Sequence, residues 1–235
     1  VTSEAGAKMS PMSNQPFTEA ETKGTRIVIQ PEKTKQTISG IGTSFTESTA
    51  YVLAHLEPER RREVMENLYA DTGANFSLTR TTIGSTDFSV EGKLSYAEVK
   101  DDAELQHFTI APDLDGFSKQ RYPGIKDESF DLLPMIQEAM AIKEKQDDKT
   151  LHIIASAWTA PPWMKDIETW FIKGSEENDH NGTGGELKPE YVSTYADYLV
   201  KYLDAYQEAG VDIWALTPVN EPHGNSGNWE SMHFT

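Results

Sequence analysis

The chain has 235 residues, 37% of them hydrophobic and 10% aromatic, so it can bury a sizeable core in one large domain or two small ones. Its formal net charge of −17 argues against nucleic acid and anionic membranes as partners, because both are bound mainly through positive charge. It contains no cysteine, which excludes disulfides, thiolate metal sites and a cysteine nucleophile. No apolar run approaches the roughly 20 residues that a membrane-spanning helix needs.

The amino-terminal segment differs in composition from the rest. Residues 1–24 are rich in Ser, Thr, Pro, Gly and Glu, and we expect them to form a flexible arm. The first residue is Val rather than Met, so we expect that an upstream signal peptide or tag has been removed. The lack of cysteine suits a bacterial exported protein, and we predict a secreted or periplasmic location.

Strand and helix patterns follow this arm. The alternating run at residues 25–30 (TRIVIQ) predicts a strand, and residues 31–33 predict a turn. Residues 36–45 predict a strand followed by a glycine-punctuated loop, and further strands are predicted at residues 75–83, 151–158 and 211–219. Helices are predicted at residues 58–70, at residues 129–145 with Ser129 as the cap, and from Pro189 to the residue before Gly210. Side chains at helical spacing in the last helix are predicted to pack in the core: Tyr191, Tyr195, Leu199, Tyr202 and Tyr206.

The order of these elements, β-α-β-α-β-α-β, predicts parallel strands joined by helical crossovers. The loops that follow the strands are long, as in barrel enzymes, which keep their chemistry at the carboxyl ends of the strands. A doubly wound sheet is the competing architecture. Its phosphate-binding loop, G-x-G-x-x-G, is incomplete, since residues 40–45 (GIGTSF) supply only the first two glycines.

Residues suited to catalysis stand at the ends of three successive predicted strands. Arg80 ends the second strand, Trp158 ends the third, and Asn220 and Glu221 follow the fourth. Because the carboxyl ends of parallel strands meet at one edge, we expect one shared pocket. A carboxylic acid beside a neutral amide suits proton donation to a sugar leaving group. For Arg80, a structural ion pair with a neighbouring strand is the alternative.

The loops after these strands carry residues suited to sugar binding. Asp87 lies on the long loop of residues 84–128, where an exposed Asp otherwise serves as a turn or cap residue. Residues 157–165 (AWTAPPWMK) place Trp158 and Trp163 around a double proline, and we expect the two rings to form a rigid aromatic rim. Flat apolar rings suit the C–H faces of sugars, although Trp is also common in cores.

Taken together, these segments resemble glycoside hydrolase family 30, the glucosylceramidase-like branch of the retaining barrel glycosidases. The resemblance runs from about residue 25 to the last residue. It rests on six segments: ISGIG and FTE within residues 38–47, LTR at 78–80, DFS at 87–89, SAWTAPPWMK at 156–165, TPVNEP at 217–222 and NWESM at 228–232. One departure is Gly40-Ile41-Gly42-Thr43, which stands where the family often has Gly-Phe-Gly-Gly.

The resemblance implies a (β/α)8 TIM barrel, an α/β fold, with its first four βα units at residues 36–235. It also implies a side β-sandwich, to which residues 25–35 contribute a strand. The family nucleophile is a Glu near the end of the seventh barrel strand. This chain stops just after the fourth strand, so we expect the nucleophile to lie outside it, in a missing carboxyl-terminal half.

Site roles also follow from the resemblance. Glu221 would be the general acid/base, Asn220 the partner of the sugar 2-hydroxyl, and Arg80 the support of the catalytic carboxylates. Three residues would bind substrate, the first two on the glycone and the third on the aglycone side: Asp87, Trp158 and Trp229. The expected reaction is hydrolysis of a β-linked carbohydrate or glycolipid with retention, without a metal or other cofactor. Glucosylceramide, β-1,6-glucan, β-glucosides and β-xylosides are all within reach of relatives.

Two alternatives belong to other functional classes. The first is a non-catalytic sugar-binding fragment that keeps Trp158 and Asp87 but lacks the nucleophile. The second is a metal-dependent hydrolase that uses histidines as ligands, namely His152, His180, His223 and His233. No H-E-x-x-H motif or comparable ligand spacing supports this second alternative.

Overall fold

The computed structural model describes residues 6, 10–14, 16–17, 24–179, 181–224 and 227–234. The chain divides into two units, Val1–Thr37 and Ile38–Thr235. In the first unit, the N–H of Lys33 donates to the carbonyl of Gln30 at 3.0 Å, which confirms the predicted turn. Most of the predicted arm lies outside the described residues.

The predicted strand at residues 25–30 is not formed in the structure, which describes all six residues. Its apolar side chains are largely exposed, with Ile27 at 85% and Ile29 at 83% of full exposure. A strand needs hydrogen-bonding partners on a neighbouring strand, and residues 25–30 pair with none within the described part of the chain. The contribution of residues 25–35 to a side β-sandwich therefore stays a prediction.

The second unit alternates strands and helices. Its strands are β1 (Gly42–Phe45), β2 (Leu78–Ile83), β3 (His152–Ala157) and β4 (Ala215–Thr217). Its α-helices are α1 (Glu47–Ala54), α2 (Pro58–Tyr69), α3 (Leu132–Lys143) and α4 (Val192–Glu208). Single 3₁₀ turns lie at Ala111–Asp113, Pro162–Met164, Glu176–Asn178 and Pro189–Tyr191. No helix in the described residues is long and apolar enough to cross a membrane.

The four strands form one parallel sheet in the order β1-β2-β3-β4. Each strand thus pairs with the next strand in the sequence. A doubly wound sheet reverses its strand order at a switch point, and no reversal occurs among these strands. The order is that of successive units in a (β/α)8 barrel, as predicted.

The helices and strands differ from the prediction in several places. Helix α1 was not predicted; it begins after Thr46, whose hydroxyl accepts from the N–H of Thr49 at 3.2 Å. Helix α3 begins later than predicted, because Asp131 rather than Ser129 caps it. Strand β1 pairs with β2 only from Gly42 onward. Strand β4 covers three residues because its pairing with β3 ends at Thr217, and the following Pro218 has no N–H to extend the ladder.

The two faces of the sheet have different environments. Alternate residues of β2 and β3 are buried in the core: Thr79, Thr81, Ile83, Ile153, Ala155 and Ala157. The residues between them lie on the opposite face, which corresponds to the barrel interior; there Arg80 and Ile154 are partly buried, whereas Thr82 and Ser156 are buried. The predicted core packing of α4 is confirmed for Tyr195, Leu199, Tyr202 and Tyr206, whereas Tyr191 is half-buried.

Candidate active site

Arg80 forms the centre of a polar network on the interior face of the sheet. One terminal nitrogen, Nη2, donates to Ser156 Oγ at 2.8 Å and to Asn220 Oδ1 at 2.7 Å. These partners come from the next strand, β3, and from the end of β4. The structure therefore brings together Arg80 and Asn220, which are 140 residues apart in the sequence.

Strand register explains why Ser156 and Thr217 join this network. Thr82, Ser156 and Thr217 are paired across β2, β3 and β4, so their side chains share one row of the interior face. The hydroxyls of Ser156 and Thr217 are 2.5 Å apart, and Ser156 is fully buried. Neither residue was predicted to belong to the site. Every second residue of a strand shares a face, so the alternation that starts at Arg80, carried over to the aligned strands, is the signal that would have found them.

The environment of Arg80 is partly apolar. Its guanidinium carbon lies 4.6 Å from the centroid of the Trp158 ring, a cation–π geometry. Burial lowers the pKa of Arg80, and the nearby charge of Glu221 opposes that shift. All of its hydrogen-bond partners among the described residues are neutral, so the alternative of a structural ion pair with a neighbouring strand is not what the structure shows.

Glu221 lies at the end of β4 in a left-handed backbone conformation, with φ +50°. Such a conformation is uncommon for a residue with a side chain and costs of order 1–3 kcal/mol. Two hydrogen bonds hold it: the N–H of Asn220 donates to the carbonyl of Ala157 at 2.6 Å, and the N–H of Gly224 donates to the carbonyl of Glu221 at 2.7 Å. The Glu221 side chain is exposed. The chain thus turns sharply at this carboxylate.

A cavity of about 370 Å³ opens beside Arg80 and Trp158. That volume lies within the usual range of small-molecule sites, roughly 300–1,000 Å³. Aromatic rings of Phe45, Phe88 and Trp158 contribute to its wall. Seven hydroxyl-bearing residues also line it: Thr43, Ser44, Thr46, Ser48, Thr49, Thr81 and Thr82. Hydroxyls and flat rings together suit a sugar.

Asp87 lies in a tight turn next to this cavity. The N–H of Thr86 donates to Ser89 Oγ at 2.9 Å, and the N–H of Ser89 donates to the Thr86 carbonyl at 3.0 Å. Asp87 is exposed within this turn, while the following residue, Phe88, lines the cavity. The geometry places Asp87 at the edge of the site and is compatible with either a ligand contact or a turn residue.

The two other tryptophans of the expected site are not among the contacts of Arg80 in the described residues. The expectation that Trp163 shares an aromatic rim with Trp158 is wrong. Trp163 is 5% exposed, packs edge-on against Tyr191 and donates its ring N–H to the carbonyl of Ala97 at 2.8 Å, so it belongs to the core. Trp229 is half-buried in the segment 227–234 and takes no part in the Arg80 network.

Geometry argues against the histidine-based metal site. His152 begins β3 and stacks on Trp214, at the end of the strand opposite to Trp158. Five residues of strand span roughly 17 Å, too far for a common ligand set with His223 and His233. Those two rings are 5.9 Å apart, and His180 lies outside the described residues. Within the described part of the chain, no cluster of three or more metal-binding side chains occurs.

A larger cavity, about 620 Å³, lies on the loop between β2 and α3. Charged residues dominate its wall, among them Glu91, Glu128 and Arg121, and no aromatic ring lines it. The smaller cavity beside Arg80 is the better candidate for a sugar, because it combines rings, hydroxyls and a position at the carboxyl ends of the strands.

Asp113 and Lys165 are two of several buried ionisable residues to which the sequence assigned no role. Asp113 accepts hydrogen bonds from the hydroxyls of Tyr96 at 2.6 Å and Tyr206 at 2.5 Å, and burial raises its pKa to about 7. Lys165 is fully buried, and burial lowers its pKa to about 7, although the negative charges of Asp166 and Glu230 act to raise it. Neither residue contacts the Arg80 network.

Comparison with known proteins identifies the family. Residues 38–235 match the glycosyl hydrolase family 30 TIM-barrel domain. The chain belongs to this family. Family 30 membership explains the parallel sheet and confirms the family that the resemblance of its motifs predicted.

Curated relatives of this family 30 chain include two kinds of glucosidase. The lysosomal acid glucosylceramidase of Mus musculus is 30% identical over 199 residues, which cover 85% of this chain and 34% of the mouse protein. An endo-1,6-beta-D-glucanase of Neurospora crassa is 31% identical over 206 residues, which cover 87% of this chain and 37% of the fungal protein. The family 30 chain thus spans roughly a third to two fifths of the relatives that it matches.

Solved structures agree with the fold. The endo-beta1,6-glucanase BT3312 superposes with a TM-score of 0.66 at 29% identity, covering 87% of this chain and 39% of that one. SrfJ from Salmonella typhimurium gives a TM-score of 0.67 at 24% identity, covering 85% of this chain and 38% of that one, and supports the fold alone.

Proposed function

We propose that the protein is a retaining β-glycosidase of the glucosylceramidase, β-glucosidase or β-1,6-glucanase type, with Glu221 as its general acid/base. The observation that carries the proposal is the hydrogen bond from Arg80 to Asn220, immediately before Glu221 and beside a hydroxyl-lined cavity. The names of the curated relatives support a glucose-containing glycolipid or β-glucan as substrate. A secreted or periplasmic location and a role in sphingolipid metabolism stay predictions.

Arg80 determines which end of the Asn220 amide faces a sugar. A guanidinium group has only donors, so the atom of Asn220 that faces it must be the carbonyl oxygen. The Nδ2 group, with its two N–H bonds, then points to the other side. Asn220 is therefore fixed as a donor to the oxygen of a sugar hydroxyl, which fits the 2-hydroxyl role that the family resemblance implies.

The proposed reaction has two steps. A nucleophilic carboxylate attacks the anomeric carbon while Glu221 gives its proton to the leaving oxygen, which forms a glycosyl-enzyme. Glu221, now ionised, then takes a proton from water, and that water displaces the nucleophile with net retention. The positive charge of Arg80 would hold the nucleophilic carboxylate ionised. Trp158 supplies an apolar wall and shields the guanidinium from water.

We further propose that the nucleophile is not among the residues of this chain. A retaining pair of carboxylates is about 5–5.5 Å apart. We propose that the second carboxylate is the Glu that the family resemblance implies near the end of the seventh barrel strand, in a carboxyl-terminal half that completes the barrel. The share of the relatives that the chain covers is consistent with this arrangement.

The dependence on the leaving group tests the role of Glu221. In the protein that includes the nucleophile, Glu221→Gln is expected to abolish most hydrolysis of glucans and alkyl glucosides while sparing activated aryl glucosides, which need less proton donation. Glu190→Gln is the matched control, because Glu190 is an exposed carboxylate in the 3₁₀ turn before α4, and it should leave both rates unchanged. Equal losses on both substrate types would refute the assignment.

A second candidate function, sugar binding without turnover, is favoured by one observation. The cavity and Trp158 lie wholly within this chain and need no further residue to form. The test is to express residues 1–235 alone and with the carboxyl-terminal half, and to assay an aryl β-glucoside. Activity that appears only when both halves are present supports the glycosidase. Full activity of verified 1–235 alone would place the nucleophile within it, and sugar binding without turnover by the pair would support the second candidate.

A further inference from the structure

The loop that follows β3 packs closely against the described segment 227–234, which follows β4. At Gly182 and Gly227 the two backbones nearly touch, since a Cβ atom added to Gly227 would lie 2.4 Å from the Cα of Gly182. Nearby, the N–H of His233 donates to the carbonyl of Gly185 at 2.8 Å. Only glycines allow such an approach. The relative position of the two loops is therefore set at the level of the backbone.

Lys165 lies at this junction with its ammonium group fully enclosed. Its Nζ is 2.7 Å from the carbonyl oxygen of Trp170, 2.8 Å from that of Gly184 and 3.2 Å from that of Ser231. The first two carbonyls belong to the loop after β3, and the third belongs to segment 227–234. An ammonium has three N–H donors, and here each one has an acceptor. Lys165 thus joins the two loops through their main chains.

A third loop is tied to the same junction. Lys93, on the loop after β2, pairs with Glu230 at 3.0 Å, and Glu230 is only 3% exposed. The Lys93 ammonium also lies 4.4 Å from the centroid of the Phe171 ring, on the loop after β3. Residues 230 and 231, which directly follow Trp229, are therefore held by two lysines from two other loops.

We propose that Lys165 is a positioning residue that holds segment 227–234, and with it Trp229, in a fixed place against the loop after β3. A substrate wall needs a rigid support, and a ring on an otherwise untethered loop would lose that rigidity. The part of this inference that concerns substrate rests on the proposed function, because Trp229 is there the aglycone-side residue. The part that concerns the loops does not depend on it.

Lys165→Met tests the hydrogen-bond donors of Lys165 separately from the volume of its side chain. Methionine fills nearly the same space but removes the donor that reaches the three carbonyls. In the purified protein that carries this chain, hydrogen exchange in residues 227–234 is expected to become at least tenfold faster, with α3 unchanged as the internal reference. Lys173→Met makes the same change on an exposed lysine of the same loop and should have no effect. Unchanged exchange, or equal acceleration in α3, would overturn the proposal.

Chemical rescue supplies a readout that simple packing would not give. Lys165→Ala removes three carbons and the ammonium, which together correspond to propylammonium. Propylammonium is expected to restore slow exchange in residues 227–234, whereas 1-propanol, of the same shape but uncharged and with one donor, should not. Equal rescue by both compounds would show that Lys165 only fills space, and no rescue by either would also count against the proposal.

Kinetics separates this inference from the proposed function. If the protein hydrolyses β-glucosides, Lys165→Met should raise KM for substrates with long aglycones at least fivefold and leave kcat for small aryl glucosides nearly unchanged. A wild-type protein that hydrolyses no β-glycoside would refute the proposed function and leave the exchange result standing. Fast exchange with unaltered KM for long substrates would refute the link from Lys165 to Trp229.

Discussion

Replacing Arg80 by lysine keeps the positive charge but removes the planar group that reaches three partners at once. Hydrogen bonds from a charged donor are worth roughly 1.5–3 kcal/mol each, so the bonds to Ser156 and Asn220 together contribute about 3–6 kcal/mol. The contact with Trp158 adds roughly 0.5–2 kcal/mol. Lysine recovers part of this stabilisation, because it can still make one of the two hydrogen bonds. The net loss is smaller again because the burial that lowers the pKa of Arg80 also makes its charged form costly to bury.

We therefore expect Arg80→Lys to lose about 2–4 kcal/mol of transition-state stabilisation, or roughly 30- to 1,000-fold in kcat/KM. The measurement is hydrolysis of an aryl β-glucoside by the complete barrel, with circular dichroism to show that the fold is kept. The orientation of the Asn220 amide should also become less fixed, because the amide oxygen loses the Arg80 donor that holds it.

Arg61 provides a matched control for this experiment. It too bonds two side chains, Asp127 at 2.8 Å and Glu138 at 3.1 Å, and its guanidinium lies 3.9 Å from the centroid of the Phe130 ring. It lies on α2, away from the candidate site, so Arg61→Lys should lower stability without a selective loss of kcat/KM. A folded Arg80→Lys variant with a full rate, or an equal kinetic loss in Arg61→Lys, would refute the reasoning.

Three further predictions follow from single side chains. Asp87→Ala should weaken transition-state binding by roughly 1–3 kcal/mol if Asp87 accepts from the glycone; unchanged kcat/KM on β-glucosides would make it a turn residue. Ser156→Ala should lower the unfolding free energy by roughly 1–3 kcal/mol, because it leaves an Arg80 donor and Thr217 without their buried partner; urea denaturation measures this, and a neutral result would contradict it. For Asp113, the folded pKa of about 7 exceeds the ordinary 3.8, so its contribution to stability is full below about pH 4 and is lost as pH rises through 7. Asp113→Asn cannot titrate, so its stability relative to the original protein should improve between pH 5 and pH 8; a pH-independent difference in urea denaturation would contradict this.

The sequence allowed the order of the elements to be predicted because hydrophobic periodicity and loop composition are local properties. Helix α2 and strands β2 and β3 fall within one to three residues of their predicted bounds. Strand β4 was predicted too long, because its length depends on pairing with β3 rather than on its own apolar run. Helix α1 was missed because its cap, Thr46, lies in the FTE segment, which was considered only for its resemblance to the family.

The candidate site shows the same division between local and long-range information. Arg80, Trp158 and Asn220 were expected to meet, since residues at the ends of parallel strands must lie at one edge, and the structure places them in contact. Ser156 and Thr217 depend on strand register, which no single segment reveals. Trp163 was misassigned because neighbouring positions in a rigid Pro-Pro segment can face either the cavity or the core.

The tyrosines of α4 give the fold an optical signature. Burial raises the pKa of Tyr195, Tyr198, Tyr202 and Tyr206 above the ordinary value of 10. In an alkaline titration, these phenols therefore stay protonated and contribute no phenolate absorbance near 295 nm while the helix remains packed. An abrupt rise in that absorbance would report the moment at which water reaches this face of α4. The chain thus carries its own unlabelled indicator of core integrity.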